Sequence, residues 1–282
     1  MENIQQVIVD NLPNYSKNQR VLANFILENL QTVSLLSVND VAEKAGVSSA
    51  TVVRFARVLG FNGYLEFRNY LVELLKEQLS PVEKYKATIS KREEYQDSLS
   101  KVAQQVVKNI DKSLQHNLLE DFKHVVTHIR EAENIFCVGM GISKYMGEIL
   151  AYLLKLYMKK AASINNDTLS FAEQIILLNP KDLVIAFSFP PYSRQTVESA
   201  QLAHSLDIPV ISFTDKKTAP IVQYCEHVLI AKTDNILFTN SLGAIAVLMN
   251  ALVTEIALTE ENKVMEGLKK VEKYVNDPRY YY

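Results

Sequence analysis

Two short stretches combine glycines and hydroxyls in an order that suits anion binding. The first is GMGISKY, Gly139 to Tyr145. Gly139 and Gly141 let the backbone turn sharply and approach a ligand. Ser143 falls at or near the N-cap of the following helix, where its hydroxyl and the free backbone N–H groups meet an anion. The second is SFPPYSRQT, Ser188 to Thr196. Ser188 ends an apolar run, and Pro190 and Pro191 stiffen the loop. Ser193 and Thr196 open the next helix, with Arg194 between them. Two hydroxyl-rich helix starts facing one crevice suit a single phosphate or sulfate group. The plain alternative is that each serine only caps its helix. The G-x-G run lacks the Gly-Lys-Ser/Thr ending of a P-loop, and Tyr145 stands where a dinucleotide fingerprint needs its third glycine. A nucleotide is therefore disfavoured and no cofactor is expected.

A third stretch, VNDVAEKAGVSSATVVRFARVLG, reads as two short helices around a glycine turn, the helix-turn-helix plan. One helix starts at Ser37, with Asp40 three residues on as in a capping box, and closes at Gly46. Ser48 caps the next, whose core face carries Val52, Phe55, Ala56 and Leu59. Its other face carries Ser49, Thr51, Arg54 and Arg57. Hydroxyls near a helix N-terminus can bind phosphate, and arginine can grip a guanine edge, so Ser48, Ser49, Thr51, Arg54 and Arg57 are the candidate DNA contacts. The rival reading is a helical hairpin with a solvated arginine face. Residues 1–77 hold seven Lys and Arg against eight Asp and Glu, a net of −1, which favours the rival. Between Lys44 and Arg68, however, there are four basic residues and one acidic one, Glu66.

These stretches need elements to hold them. Residues 1–77 read as all helix, with a further start and capping box at Ser16 and Gln19. Residues 78–100 are polar and charged, a linker or an exposed helix start, and residues 101–282 form a second domain. Its first part, to about residue 130, is helical. From about 134 to 258, short apolar runs alternate with amphipathic ones: IFCVG, AASIN, LVIAFS, PVISFT and HVLIA, each followed by an expected helix. The fold class is α/β: an all-helical helix-turn-helix domain, then a flavodoxin-like five-stranded parallel α/β/α domain. In the order 2-1-3-4-5, ligands bind where the order reverses, between the ends of strands one and three. The two hydroxyl-rich loops follow those strands.

Composition narrows the function classes. The chain has 282 residues, 48% hydrophobic and 22% charged, with a formal net charge of −2. No general attraction to nucleic acid or anionic membrane follows. The apolar stretches fall short of the roughly 20 residues that span a bilayer, and the start lacks signal-peptide order, so no membrane partner and a cytoplasmic location are expected. Cys137 and Cys225 read as buried thiols, and no metal spacing is present. No catalytic residue is assigned. His116, His124 and His128 precede strand one, His204 lies far along the helix after strand three, and His227 is at the wrong end of the sheet. Glu173 and Glu198 read as solvated or interface residues.

The words VSSATVVRF and LGFNGYLEF, within a longer match from Asn18 to Leu71, closely resemble the N-terminal domain of RpiR-type transcriptional regulators. VGMGIS and AFSFPPYSRQTVE resemble the SIS, or sugar isomerase, domain. The resemblance implies a repressor or activator that binds operator DNA as a homodimer or homotetramer and answers a sugar-phosphate effector from catabolism. It places phosphate contacts on Ser143 and Ser188, with Ser193 and Thr196 nearby; Gly141 and Arg194, read from their own loops, complete the candidate effector site. Related enzymes often carry S-x-S-G-x-T where this chain has Ser188-Phe189-Pro190 and a longer loop, which weakens the alternative of a phosphosugar isomerase. Arg194 suits a second acidic group. Asn165, Asn166 and Asp167 suit hydroxyls or an acetamido group, so an amino-sugar phosphate is slightly favoured. A sugar-phosphate-binding adaptor for a protein partner is the third reading.

Overall fold

The computed structural model describes residues 4–78, 81–90, 97–158 and 160–275. The chain divides into two compact units, residues 1–93 and 94–282. Of the stretch expected as a linker, residues 79–80 and 91–96 lie outside the described residues; the part between them holds a helix, Pro81–Ile89.

Among the described residues the elements of the first unit are helices: α1 (Ile4–Asn11), α2 (Lys17–Glu28), α3 (Leu30–Leu35), α4 (Val38–Ala45), α5 (Ser49–Val58), α6 (Tyr64–Gln78) and α7 (Pro81–Ile89). Its starts and stops follow local chemistry. Reciprocal capping boxes open α2 at Ser16 and Gln19 and α4 at Ser37 and Asp40. Gly46 closes α4 in the left-handed region at φ 67°. Val41, Ala42, Ala45, Val52, Phe55 and Ala56 are buried in one core with Leu22, Ile26 and Phe67. Tyr64 pins α6 to the end of α3 by sharing its hydroxyl hydrogen between the carbonyls of Val33 (2.9 Å) and Leu36 (3.0 Å). Burial pushes its phenol up to about 12.

The second unit opens with α8 (Ser98–His116) and α9 (Leu119–Glu131). There follow β1 (Ile135–Gly139), α10 (Ile142–Met158), β2 (Ala161–Ser163), α11 (Phe171–Ile175), β3 (Leu183–Phe187), α12 (Arg194–Ser205), β4 (Val210–Thr214), β5 (His227–Ile230), α13 (Gly243–Thr259) and α14 (Glu261–Val275). All strands pair in parallel in the order β2-β1-β3-β4-β5, as expected. Alternation along β3 explains its unbroken apolar text: Leu183, Ile185 and Phe187 pack with α9, α10 and α13, whereas Val184 and Ala186 pack with α11 and α12. One expectation fails. The run APIVQY after β4 forms only a 3-10 turn, Val222–Tyr224. Pro220 and the short span to β5 leave no room for a packed helix.

Cys137 is buried and Cys225 half-buried, and burial pushes both thiols up to about 12. Among the described residues no helix is long and apolar enough to cross a membrane.

Away from the carboxyl ends of the strands, His227 sits against two histidines of α9. Its ring lies 4.8 Å from that of His128 and 5.7 Å from that of His124. Desolvation, then the neighbouring His128 and His124, hold His227 below the usual histidine value, against the pull of Glu226 and Asp121. The unfolded chain therefore takes up this proton first, and stability falls as pH drops through the unfolded value of about 6.5. The melting temperature is expected to fall less between pH 7.5 and 5.5 in His227→Asn than in the parent chain. Thermal melts at both pH values check this, and an equal fall in the two proteins refutes it.

Candidate functional site

The crevice at the β1–β3 reversal is built from the ends of these two strands. β1 leads through α10 to β2 on one side, and β3 leads through α12 to β4 on the other. Right-handed crossovers then place α10 and α12 on opposite faces. Gly139 ends β1 where a Cβ would lie 2.7 Å from the backbone carbon and oxygen of Ser143, so only glycine fits. Gly141 turns the chain in the left-handed region at φ 59°. Ser143 is buried as the second residue of α10. It is not the cap, and the amides there differ from expectation. The N–H groups of Ser143 and Lys144 turn back onto the carbonyls of Met140 and Gly141, each at 3.2 Å, and are not free for an anion.

The second loop supplies the more telling atoms. The Ser188 N–H donates to Phe213 O at 3.0 Å, and the Ser188 carbonyl accepts from Thr214 Oγ1 at 2.7 Å. Its backbone is thus satisfied, yet its hydroxyl is buried without a partner, the residue being 2% exposed. Thr196, 1% exposed in the first turn of α12, carries a second buried hydroxyl without a partner. Ser193 is the N-cap and accepts weakly from the Thr196 N–H at 3.5 Å. Arg194 stands 91% exposed and pairs with Glu198 at 3.0 Å. Beyond β2, Asn165 Oδ1 is a third buried acceptor without a partner, while Asn166 and Asp167 are exposed. Glu173 is committed to capping α11 through Ser170, whose hydroxyl and N–H hold its carboxyl below the usual range.

Other residues hold the loop in place. Tyr192 donates to Asp215 Oδ1 at 2.6 Å, and Asn240 Nδ2 donates to the Pro190 carbonyl at 2.7 Å, where the Pro190–Pro191 bond is cis. Sequence reasoning missed Asn240, which reaches Pro190 across 50 residues with no local signal. Asp215 follows β4 at the carboxyl edge of the sheet, a position that topology does single out.

On the helix-turn-helix, the hydroxyls are largely spent inside the unit. The Ser48 hydroxyl caps α5 and lies 2.9 Å from Thr51 Oγ1. Ser49 donates to Asn39 Oδ1 at 2.8 Å, tying α5 to α4. Thr51, expected on the outer face, is only 7% exposed. Its small side chain lies in the angle between α5 and α2, in a polar cleft lined also by Ser16, Asn18, Gln19 and Arg54. Arg57 reaches the Asn62 carbonyl at 3.3 Å. Arg54 and Arg57 are both exposed.

Residues 2–78 match the helix-turn-helix domain of the rpiR family, and residues 128–255 match the SIS domain. An uncharacterized HTH-type transcriptional regulator of Haemophilus influenzae is 25% identical over 227 residues, which is 76% of this chain and 75% of that protein. The Vibrio vulnificus NanR protein complexed with ManNAc-6P is 26% identical with a TM-score of 0.59, covering 98% of this chain and 100% of NanR. The sugar isomerase domain of the RpiR transcription factor from Sphaerobacter thermophilus is 25% identical with a TM-score of 0.61, covering 63% of this chain and 99% of that one. With its helix-turn-helix unit followed by a five-stranded SIS unit, the chain belongs to the RpiR family of transcriptional regulators.

Proposed function

We propose that this regulator binds operator DNA through α5 and is controlled by an amino-sugar phosphate whose phosphate occupies the β1–β3 crevice. In this reading residues 1–77 hold the DNA, residues 78–100 link, and residues 101–282 hold the effector. The observation that carries it is the pair of buried hydroxyls without partners, Ser188 Oγ and Thr196 Oγ1, at one loop and helix start. A buried polar atom left unmade costs about 1–3 kcal/mol, and a phosphate oxygen accepting from both removes that cost. Ser143, Gly141 and Ser193 complete the cradle. Asn165 Oδ1 calls for a donor, which an acetamido N–H or a sugar hydroxyl supplies. The ManNAc-6P bound by NanR carries both. Arg194, paired and exposed, has a lesser role at the rim.

The isomerase reading has less support. Among the described residues His124, His128 and His227 gather at the amino end of β5, and His204 lies in the last turn of α12. None of these reaches the crevice as a base needs to. On the DNA side, with the hydroxyls of Ser48, Ser49 and Thr51 engaged internally, base readout falls to Arg54 and Arg57 and the serines serve to set the angle of α5. A cytoplasmic homodimer reading a near-palindromic operator fits this plan.

A thermal shift with ManNAc-6P tests the effector half. At 100 times its dissociation constant a ligand stabilises by about 2.7 kcal/mol, or about 5–10 °C for a unit of this size. That shift is expected in the parent chain and lost in Ser188→Ala. A shift that survives in both Ser188→Ala and Thr196→Val removes the phosphate from this crevice.

The DNA half is tested by fluorescence anisotropy on duplexes selected from random DNA by the parent protein. Arg54→Ala is expected to weaken specific binding by about 1–3 kcal/mol, roughly 5- to 150-fold, while ManNAc-6P still shifts its melt. Undiminished affinity for the selected duplex refutes the role of Arg54.

A further inference from the structure

β5 is an edge strand, and the chain that leaves it is fastened to α8 by side chains instead of by another strand. Asn117, just past the end of α8, accepts the Ile230 N–H on Oδ1 and donates from Nδ2 to the Ile230 carbonyl, both at 2.8 Å. The Ser113 hydroxyl accepts the Lys232 N–H at 2.8 Å. Asn109 Nδ2 donates to the Asp234 carbonyl at 2.7 Å. The three residues are spaced by four, about 6 Å apart along the axis, Asn109 and Ser113 on one helix face and Asn117 at its C-cap. Their partners are alternate residues, about 6.6 Å apart in an extended chain. The two periods stay in step over three rungs, so α8 pairs the chain from Ile230 to Asp234 much as a neighbouring strand would.

The ladder fixes register, which apolar packing alone does not. Asn109 and Ser113 are buried, and each is held again from within the helix: Gln105 Nε2 donates to Asn109 Oδ1 at 2.9 Å, and Ser113 Oγ donates to the Asn109 carbonyl at 2.6 Å. A slide of α8 by a fraction of a turn keeps those intrahelical bonds but breaks the rungs to Ile230, Lys232 and Asp234 together. α8 is also pressed on the start of α13, where a Cβ on Gly243 would lie 2.4 Å from Val106 Cγ1. Between residue 234 and Gly243 runs the loop whose Asn240 holds the Pro190 carbonyl, inside the segment from Ser188 to Ser193.

We propose that Asn240 and the Asn109–Ser113–Asn117 ladder are the positioning device through which occupancy of the β1–β3 crevice reaches α8, the helix into which the chain passes from the N-terminal unit. The inference rests on that crevice being the effector site. An anion that draws the Ser188 and Thr196 hydroxyls to itself shifts the loop between them. Asn240 follows Pro190, and the two attachments of α8, at residues 230–234 and at Gly243, follow Asn240. Because the ladder holds in one register or breaks, α8 answers as a unit.

Hydrogen–deuterium exchange on the full chain tests this in two arms. Without ligand, Asn240→Ala is expected to speed exchange in α8 and at the amides of Ile230 and Lys232 by roughly tenfold, the ratio set by losing one ordinary hydrogen bond, with β1 unchanged. Exchange in α8 equal to that of the parent overturns the proposal. If Asn240→Ala loosens β1 as well, Ser113→Ala is read from the other end: faster exchange in the first turn of α12 supports the link, and a change confined to α8 and residues 230–234 overturns it. With ManNAc-6P, the parent chain is expected to gain protection in both the first turn of α12 and α8, and Asn240→Ala in α12 alone. Protection of α12 without α8 in the parent overturns the proposal. Protection nowhere, with the first arm passed, supports the link from Pro190 to α8 and overturns instead the sugar-phosphate reading of the crevice.

Discussion

The backbone of α10 begins so close to the end of β1 that no side chain fits at Gly139, where a Cβ would sit 2.7 Å from Ser143 backbone atoms. Much of the second unit depends on that contact. It buries Ser143, forces the left-handed turn at Gly141, and lays α10 flat on the sheet, with Gly147 again leaving only 3.3 Å between a Cβ and Cys137. α10 then crosses to β2 on one side of β1, so that β3 takes the other side and the order reverses beside the Gly139 turn. The carboxyl end of β3 delivers Ser188 next to this reversal, and Thr214 and Phe213 of β4 lock its backbone there. What the lock leaves over is a hydroxyl with nothing to bind.

The hydroxyls at the two candidate sites are treated in opposite ways, and the difference separates scaffold from site. On α4 and α5 the Ser37, Ser48, Ser49 and Thr51 side chains all have partners within the unit, and each bond fixes a helix start or the angle between helices. That economy leaves the exposed arginines to meet a partner. In the SIS unit Ser188 and Thr196 are buried and unmatched. With folded domains stable by only about 5–15 kcal/mol, two such atoms are a substantial fraction to give up. A ligand that satisfies both gains by the same amount, which is the source of its hold on the folded state.

The elements were legible where local chemistry decides them. The capping boxes at Ser16 and Ser37, the left-handed Gly46 and the five apolar runs each carry their structure within a few residues, and the parallel order followed from the alternation of runs. Three features were not legible. Thr51 sits at helical spacing for the outer face, but its placement against α2 depends on a contact that no pattern within α5 encodes. The α10 amides were expected to be free, yet the turn after Gly139 tightens and takes up those of Ser143 and Lys144. Asn240, Asn109 and Asn117 lay in text that reads as ordinary loop and amphipathic helix; their partners are 50, 125 and 113 residues away. Polar side chains spaced by four read like any polar face of a helix, since only the fold supplies the backbone they pair with.

A regulator of this family needs more than two binding sites; it needs the free energy of one to depend on the other, and the dependence is reciprocal. A purely apolar seam between α8 and the sheet would transmit such a dependence poorly, because oily surfaces slide at small cost and settle at many offsets. The polar ladder settles at one. Moving α8 by half a turn strands buried groups on both sides, so the helix is either held in that one register or released from it. The same feature explains why Asn109, Ser113 and Asn117, and not leucines, face the chain that leaves β5: leucines would cover it equally well, but they would not hold the helix to a single register against the segment that carries Asn240.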